Sequence, residues 1–173
     1  MKKSASRKIA LCGIFAALAI VLLLLGGFVP FAVYCCPMLA MLLLVPLMEE
    51  CSVKICICWY LAVSLLAFLL TPDKEAAFVF AFLGWYPIAR RPLGKWPKLP
   101  RIIGKLLLFN IAVFAMYALM IWLFRMEAVA AEFQSAGLPV LILLLVLANI
   151  LFLVLDVLLG RMTVYFHKRK GRM

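Results

Sequence analysis

The sequence predicts an all-α integral membrane protein, a bundle of six transmembrane helices with both termini in the cytoplasm. Three observations lead to this prediction: the composition, the spacing of the apolar stretches and the distribution of charge. Of the 173 residues, 69% are hydrophobic and 14% are charged, whereas a soluble domain is about half apolar and about a quarter charged. An ordinary soluble domain is therefore excluded, and we expect the whole chain to form one transmembrane domain.

The six predicted spans are bounded by polar residues, prolines and glycines. Each is close to the roughly 20 apolar residues that one helical crossing of a bilayer needs. The first has an apolar run about twice as long as that of a signal peptide and no cleavage site that would release a soluble domain, so we expect it to stay in the membrane. The predicted spans are 9–28, 31–48, 53–70, 72–89, 102–124 and 138–160.

Turn residues support these boundaries. Gly26, Gly27 and Pro30 predict a tight turn between the first two spans. At the start of the fourth span, Thr71 is the predicted N-cap and Pro72 the first helical residue. The acidic residues that follow would face the positive end of the helix dipole. The third and fourth spans are therefore predicted to form a tight external hairpin.

The basic residues set the predicted orientation. With the N-terminus inside, 16 of the 18 Lys and Arg residues fall in cytoplasmic segments, and only Lys74 and Arg125 lie outside. The connections are short enough for the positive-inside rule to apply. The densest basic segment, 89–101, contains three prolines that block a regular helix, and we expect it to lie at the membrane interface. The net charge of +11 is thus a topology signal and an attraction to anionic lipid headgroups, not a sign of nucleic-acid binding.

Six cysteines do not predict a metal or redox site. Cys35 and Cys36 are adjacent, and Cys56 and Cys58 are two residues apart, so neither pair converges on one ion from a helix. The one histidine, His167, lies in the basic C-terminal tail. We expect the thiols to pack as small apolar side chains, and we expect no metal and no other cofactor.

An enzyme is not predicted either. The segment 49–54, Glu-Glu-Cys-Ser-Val-Lys, is close to the EExxxR motif of intramembrane CAAX-type proteases but ends in Lys. That chemistry also needs histidines within the membrane, which the predicted spans lack. We expect the acidic pair Glu49 and Glu50 to be neutralised by neighbouring cytoplasmic Lys or Arg. The sequence contains no nucleophile elbow and no phosphate-binding loop.

Apart from the acidic residues in the first turn of the fourth span, Asp156 is the one acidic residue inside a predicted span. It lies about a turn from the cytoplasmic end of the sixth span, and Lys105 lies about a turn into the fifth span from the same side. A carboxylate at that depth needs a partner. We therefore predict a structural ion pair of Asp156 with Lys105, or alternatively with Arg161.

The remaining polar and aromatic residues allow two interpretations. Asn110 and Asn149 are predicted to hydrogen-bond between helices, or Asn149 forms the floor of an external cavity. Tyr34, Tyr117 and Trp122 lie in the outer halves of their spans, where they either line such a cavity or anchor the membrane interface.

The first span carries small residues at close spacing. Gly13 and Ala17 form a small-xxx-small pair, with Ala10 and Ala16 beside them. Such a face lets a second helix approach closely. It either packs within this bundle or docks on another membrane protein.

This layout resembles the substrate-binding S components of energy-coupling factor (ECF) transporters. The similarity in layout covers the whole chain, and helix one, with the run 7–19, carries the residue-level motif. In that family an AxxxA-like surface of the first helix docks on a transmembrane coupling subunit. Here Gly13 and Ala17 match it in kind, with Ala10 and Ala16 flanking.

The resemblance implies a multi-pass protein of the cell membrane that captures a small water-soluble nutrient, a vitamin or a precursor, from outside. Two cytoplasmic ATPases of the same module would energise uptake. The cavity wall would come from the outer ends of spans four to six and from the loops at 74–75 and 125–137. The metal-specific members use an N-terminal histidine, which this chain lacks. The expected substrate-binding residues are Tyr34, Lys74, Glu75, Tyr117, Trp122 and Asn149.

A second hypothesis is a non-transport membrane scaffold or assembly protein. Its basic cytoplasmic arm, 90–105, would bind a partner protein or anionic lipid. The two hypotheses place the function on opposite sides of the membrane.

Overall fold

In a computed structural model, the described part of the chain is α-helical and contains no strand. This confirms the predicted all-α class. The structure describes residues 5–27, 32–94, 97–122, 124–125, 129 and 137–170, with only the backbone described at 5, 98 and 167–170. Its helices are α1 (Ala5–Gly26), α2 (Ala32–Leu42), α3 (Leu44–Glu50), α4 (Val53–Leu70), α5 (Lys74–Leu83), α6 (Tyr86–Leu93), α7 (Lys98–Trp122) and α8 (Leu138–Lys170).

Five stretches in the described residues are long and apolar enough to cross a membrane, which indicates a membrane protein. They correspond to five of the six predicted spans, and the last of them runs beyond its predicted end at 160. α2 and α3 together make up one of them. The five stretches are Ser6–Gly26, Ala32–Glu50, Val53–Leu70, Leu99–Trp122 and Leu138–Phe166.

The predicted fourth span, 72–89, differs from the observed structure because it is not one helix. α5 ends at Leu83 and α6 begins at Tyr86. Pro87 has no N–H to donate to the carbonyl of Leu83, and its ring would clash with that carbonyl in a continuous helix. The start also differs: Asp73, not Thr71, caps α5, and its carboxylate accepts the Glu75 N–H at 2.9 Å.

Side chains satisfy the carbonyls at the break between α5 and α6. The Tyr60 hydroxyl donates to the Ala81 carbonyl oxygen. The Trp85 Nε1–H donates to the Phe82 carbonyl oxygen at 2.7 Å. A backbone carbonyl without a partner is costly in an apolar medium, so these two donors stabilise the interrupted helix. Specific side chains of the chain therefore support the break between α5 and α6.

A second interruption separates α2 from α3 at Leu43. Pro46 lacks the N–H that would donate to the Leu42 carbonyl in a continuous helix. The chain tightens there, and Leu43 N donates to the Ala40 carbonyl oxygen at 3.2 Å. The predicted span 31–48 is thus a pair of helices that follow each other closely.

The chain divides into two compact units. The first comprises Met1–Pro92 and Leu159–Met173, and the second comprises Leu93–Leu158. The long helix α8 belongs to both, because its residues up to Leu158 lie in the second unit and those from Leu159 onward lie in the first.

α5 lies at the centre of the first unit and contacts α1, α2 and α4. The Trp59 Nε1–H on α4 donates to the Cys12 carbonyl oxygen of α1 at 3.0 Å, which ties these two helices together. Direct contacts between helices hold membrane proteins together, because moving an apolar side chain from lipid into the protein interior provides little hydrophobic stabilisation. The buried side chains of α5 are Ala76, Ala77, Phe78, Val79, Phe80 and Leu83.

α7 and the first part of α8 form the second unit. The rings of Phe109 and Phe152 stack with their centroids 4.4 Å apart. Lys105, one turn before Phe109, contacts Asp156, one turn after Phe152. The two helices therefore run antiparallel, because the later residue of α7 contacts the earlier residue of α8.

Candidate functional site

The turn between α4 and α5 brings together three of the predicted substrate-binding residues. The Tyr34 hydroxyl on α2 donates to Glu75 Oε1 on α5 at 2.6 Å. Lys74 precedes Glu75 in the chain and begins α5. The Tyr34 side chain is 40% exposed, so the Tyr34–Glu75 pair is accessible from outside the helix packing. A carboxylate and a phenol placed this way can hydrogen-bond a polar ligand.

Lys74 itself has a structural role. Its Nζ donates to the carbonyl oxygens of Phe68 at 2.8 Å and of Thr71 at 2.9 Å. These carbonyls lie at the C-terminal end of α4, where a helix has unpaired acceptors and a partial negative charge. The ammonium group therefore caps α4. Lys74 is one of the two basic residues predicted to lie outside, and its position is explained by the end of α4 that it caps.

The other predicted substrate-binding residues lie in the second unit, and the structure gives them different environments. Asn149 exchanges hydrogen bonds with Asn110, at 2.9 Å and 3.2 Å. Each amide also donates to the carbonyl four residues earlier in its own helix, of Leu106 and of Leu145. This is the interhelical hydrogen bonding that the first of the two sequence interpretations described, and it uses the polar atoms that a cavity floor would offer.

Tyr117 and Trp122 lie on α7. Tyr117 is half-buried, whereas Trp122, the last residue of the helix, is 89% exposed. Most of the predicted cavity loop 125–137 lies outside the described residues. An exposed tryptophan at a helix end fits the membrane interface, where the indole is amphipathic and the N–H can stay wet.

Lys105 and Asp156 form an ion pair. Lys105 Nζ lies 2.7 Å from Asp156 Oδ2 and 2.9 Å from Oδ1, and the two side chains are 7% and 16% exposed. The lysine, rather than Arg161, is therefore the partner of this carboxylate. A charge this buried is stable only when it is paired, so the pair is part of the packing between α7 and α8.

The small-residue face of α1 is open. Ala10, Gly13 and Ala17 are exposed, and Ala16 is half-buried. A Cβ added to Gly13 would meet nothing within 4 Å. The packed side of α1 is a different one, which includes the fully buried Ala19. The face that contains Ala10, Gly13 and Ala17 is therefore not used for packing within the described part of the chain.

Glu49 and Arg91 form an ion pair in the first unit. Arg91 Nη2 donates to Glu49 Oε1 at 3.0 Å and to the Met48 carbonyl oxygen at 3.1 Å. An arginine thus neutralises one member of the predicted acidic pair. The partner could not be identified from sequence because the two residues are 42 positions apart.

A narrow cleft opens beside this ion pair. Its volume is ≈ 40 Å³, whereas pockets that enclose a drug-sized ligand measure roughly 300–1,000 Å³. The cleft therefore has room for one chemical group and not for a vitamin. Its lining residues are Val45, Met48, Glu49, Pro87, Arg90, Arg91, Leu159 and Thr163.

The thiols form no disulfide among the described residues, where all six cysteines are free. In the same part of the chain, no group of three or more His, Cys, Asp or Glu side chains is placed to hold a metal ion. Sequence reasoning missed Trp59, Tyr60 and Trp85, whose donors connect helices or satisfy carbonyls at the α5–α6 break. The signal available in the sequence was the presence of these hydrogen-bonding aromatic side chains within apolar stretches.

No protein-family model, no curated protein and no solved structure matches this chain.

Proposed function

We propose that this chain is the substrate-binding membrane subunit of an ECF-type transporter in the cell membrane. It captures a small water-soluble nutrient, a vitamin or a precursor, at the outer face. A transmembrane coupling subunit and two cytoplasmic ATPases drive its uptake. The chain itself is not an enzyme under this proposal.

The observation that carries the proposal is the open small-residue face of α1. Small residues on a membrane helix are useful where a second helix comes close, because they allow close backbone contact. At Gly13 no atom of the described chain occupies that space within 4 Å of an added Cβ. A helix of a separate coupling subunit fits this face, which Ala10, Ala16 and Ala17 extend.

The polar pair Tyr34–Glu75 supports the nutrient-binding part. It presents a phenol near the start of α2 and a carboxylate near the start of α5. A water-soluble nutrient needs hydrogen-bonding groups of this kind to replace its hydration. Lys74 is held by the end of α4. We assign the partly exposed pair Tyr34 and Glu75 to the ligand.

Co-purification tests the docking. The chain is expressed with a coupling module from its own source, and Gly13→Leu and Ala17→Leu are expected to abolish association. Ala62→Leu makes the same kind of change at an exposed position of α4 and is expected to leave association intact. Since a Cβ added at Gly13 meets no atom within 4 Å, we expect its replacement to leave the isolated protein stable. Association that survives both α1 substitutions contradicts the proposal.

A thermal-shift screen against water-soluble vitamins and their precursors tests the ligand. We expect one compound to raise the unfolding temperature of the detergent-purified protein, and we expect Tyr34→Phe and Glu75→Gln to reduce that rise. The scaffold alternative predicts no such compound. It also predicts that neutralising Arg90, Arg91, Lys95 and Lys98 abolishes function, although Arg91 is already committed to Glu49 and Met48.

A further inference from the structure

The cleft between α3, α6 and the C-terminal part of α8 combines two features. Two arginines, Arg90 and Arg91, stand at its edge with one carboxylate, Glu49. Its lining also includes the buried apolar side chains of Val45, Met48 and Leu159. All these residues belong to the first unit.

Arg91 is held in place and still has donors to offer. Its Nη2 serves both Glu49 Oε1 and the Met48 carbonyl oxygen. A guanidinium group carries five N–H donors, so three remain on Nε and Nη1. The side chain is 43% exposed, and these donors are therefore within reach of a ligand that approaches from outside.

Arg90 lies directly on α8. A Cβ added to Gly160 would be 2.7 Å from Arg90 Nη2. The Arg90 guanidinium therefore lies close to the α8 backbone at Gly160, where an added Cβ would require the flexible end of the arginine to shift.

The charges and the size select the ligand. The lining of the cleft contributes two guanidinium groups and one carboxylate, so basic groups outnumber acidic ones there, which favours an anion. Guanidinium groups bind phosphate oxygens through paired, charge-assisted hydrogen bonds. The volume of ≈ 40 Å³ admits one group of a larger molecule.

We propose that this cleft binds the phosphate group of an acidic phospholipid, whose glycerol and acyl chains stay outside the cleft in the membrane. Glu49 lies near the end of the candidate membrane span Ala32–Glu50, on the side that the basic residues predict to be cytoplasmic, where acidic lipids attract basic groups. Free phosphate shares the same chemistry but is not held at the membrane surface. The inference requires that the helices span a membrane and does not depend on the transport role.

Native mass spectrometry of the detergent-purified full chain tests this. The protein is incubated with equal amounts of phosphatidylglycerol and phosphatidylcholine, and retained lipid is counted. We expect preferential retention of phosphatidylglycerol. The double variant Arg90→Gln/Arg91→Gln should lower its retention about fivefold for each basic residue removed, as expected of basic groups near an acidic lipid surface. Arg161→Gln, an exposed basic residue of α8 outside the cleft, is the matched control and should retain the lipid.

Glu49→Gln separates lipid binding from folding damage. It removes the one negative charge of the cleft and leaves both arginines, so it should increase retention of phosphatidylglycerol. A misfolded variant would do the opposite. Equal losses in the double variant and in Arg161→Gln overturn the proposal. Displacement of the lipid by inorganic phosphate at the same concentration also overturns it and assigns the cleft to a free anion.

Discussion

Lys105 and Asp156 join α7 to α8 through a two-pronged contact, in which one ammonium nitrogen lies within 3 Å of both carboxylate oxygens. The stacked rings of Phe109 and Phe152 lie one turn away, further along α7 and earlier along α8. The charged contact and the aromatic contact therefore fix the same register between the two helices.

The first prediction concerns the cost of breaking this pair. Asp156→Asn leaves the Lys105 ammonium buried and without its counter-charge, so we expect the free energy of unfolding to fall by about 3–5 kcal/mol. The double variant Lys105→Met/Asp156→Leu removes both charges and should recover most of that loss. Unfolding in mixed micelles with increasing SDS measures both. A double variant as unstable as Asp156→Asn would contradict the ion-pair interpretation.

The amide pair Asn110–Asn149 gives the second prediction. A double-mutant cycle with Asn110→Leu, Asn149→Leu and both together should yield a coupling energy of about 0.6 kcal/mol, and at most about 1.7 kcal/mol, as found for hydrogen bonds between membrane helices. Strictly additive costs would show that the two amides do not stabilise each other. If Asn149→Leu alone abolished a ligand-induced thermal shift, the cavity-floor interpretation would be favoured instead.

Two glycines should respond differently to the same substitution. At Gly84 an added Cβ would lie 2.5 Å from the Phe80 carbonyl oxygen and 3.2 Å from the Tyr60 ring, so Gly84→Ala should destabilise by about 1–3 kcal/mol. Gly13→Ala meets open space and should be neutral or stabilise by up to about 1 kcal/mol through its helix propensity. Thermal unfolding in detergent compares them. Equal costs would contradict the description of the break between α5 and α6.

The cap of α5 supplies the fourth prediction. Asp73→Ala removes the acceptor of the Glu75 N–H and should cost about 0.5–2 kcal/mol. Asp73→Asn keeps a good capping group and should cost much less. Thr71→Val, at the N-cap that the sequence predicts, tests the alternative. A larger effect of Thr71→Val than of Asp73→Ala on amide exchange in the first turn of α5 would restore the original assignment.

The orientation of the chain is the fifth prediction. In a variant without the native cysteines, a single cysteine is placed at Pro72 or at Ser52, at the two exposed ends of α4. An impermeant maleimide should label the cysteine at 72 in intact cells, because few basic residues lie on that side. The cysteine at 52 should be labelled only after lysis. The reverse pattern would invert the topology.

Local rules account for part of the fold. The apolar runs and the prolines lie in the sequence itself, and they locate five of the long helical stretches to within a few residues at most boundaries. The interruption at Gly84 was not foreseen, although Pro87 was visible. A helix that contains a proline can continue, kink or break. Here the hydrogen-bond donors of Tyr60 and Trp85 favour the break.

For some polar residues, the partner could not be identified from the sequence alone. For Asp156, depth in the membrane reduced the choice to Lys105 or Arg161, and the antiparallel packing of α7 against α8 selected the lysine. For Glu49, many basic residues lay on the predicted cytoplasmic side, and only the folded chain identifies Arg91. The sequence gives the charge of each residue, but the distance between two charged residues depends on how the helices pack.

The sequence by itself determined that this is a membrane protein built of helices, because the apolar content exceeds what a soluble chain can bury and only paired backbones can cross lipid. It also located the small residues of α1 and the excess of basic residues in alternate connections. The tertiary structure decided which polar groups meet, namely Tyr34 with Glu75, Asn110 with Asn149 and Arg91 with Glu49. It also decided that the α1 face stays open, since side-chain contacts between helices depend on register and spacing that no single helix encodes.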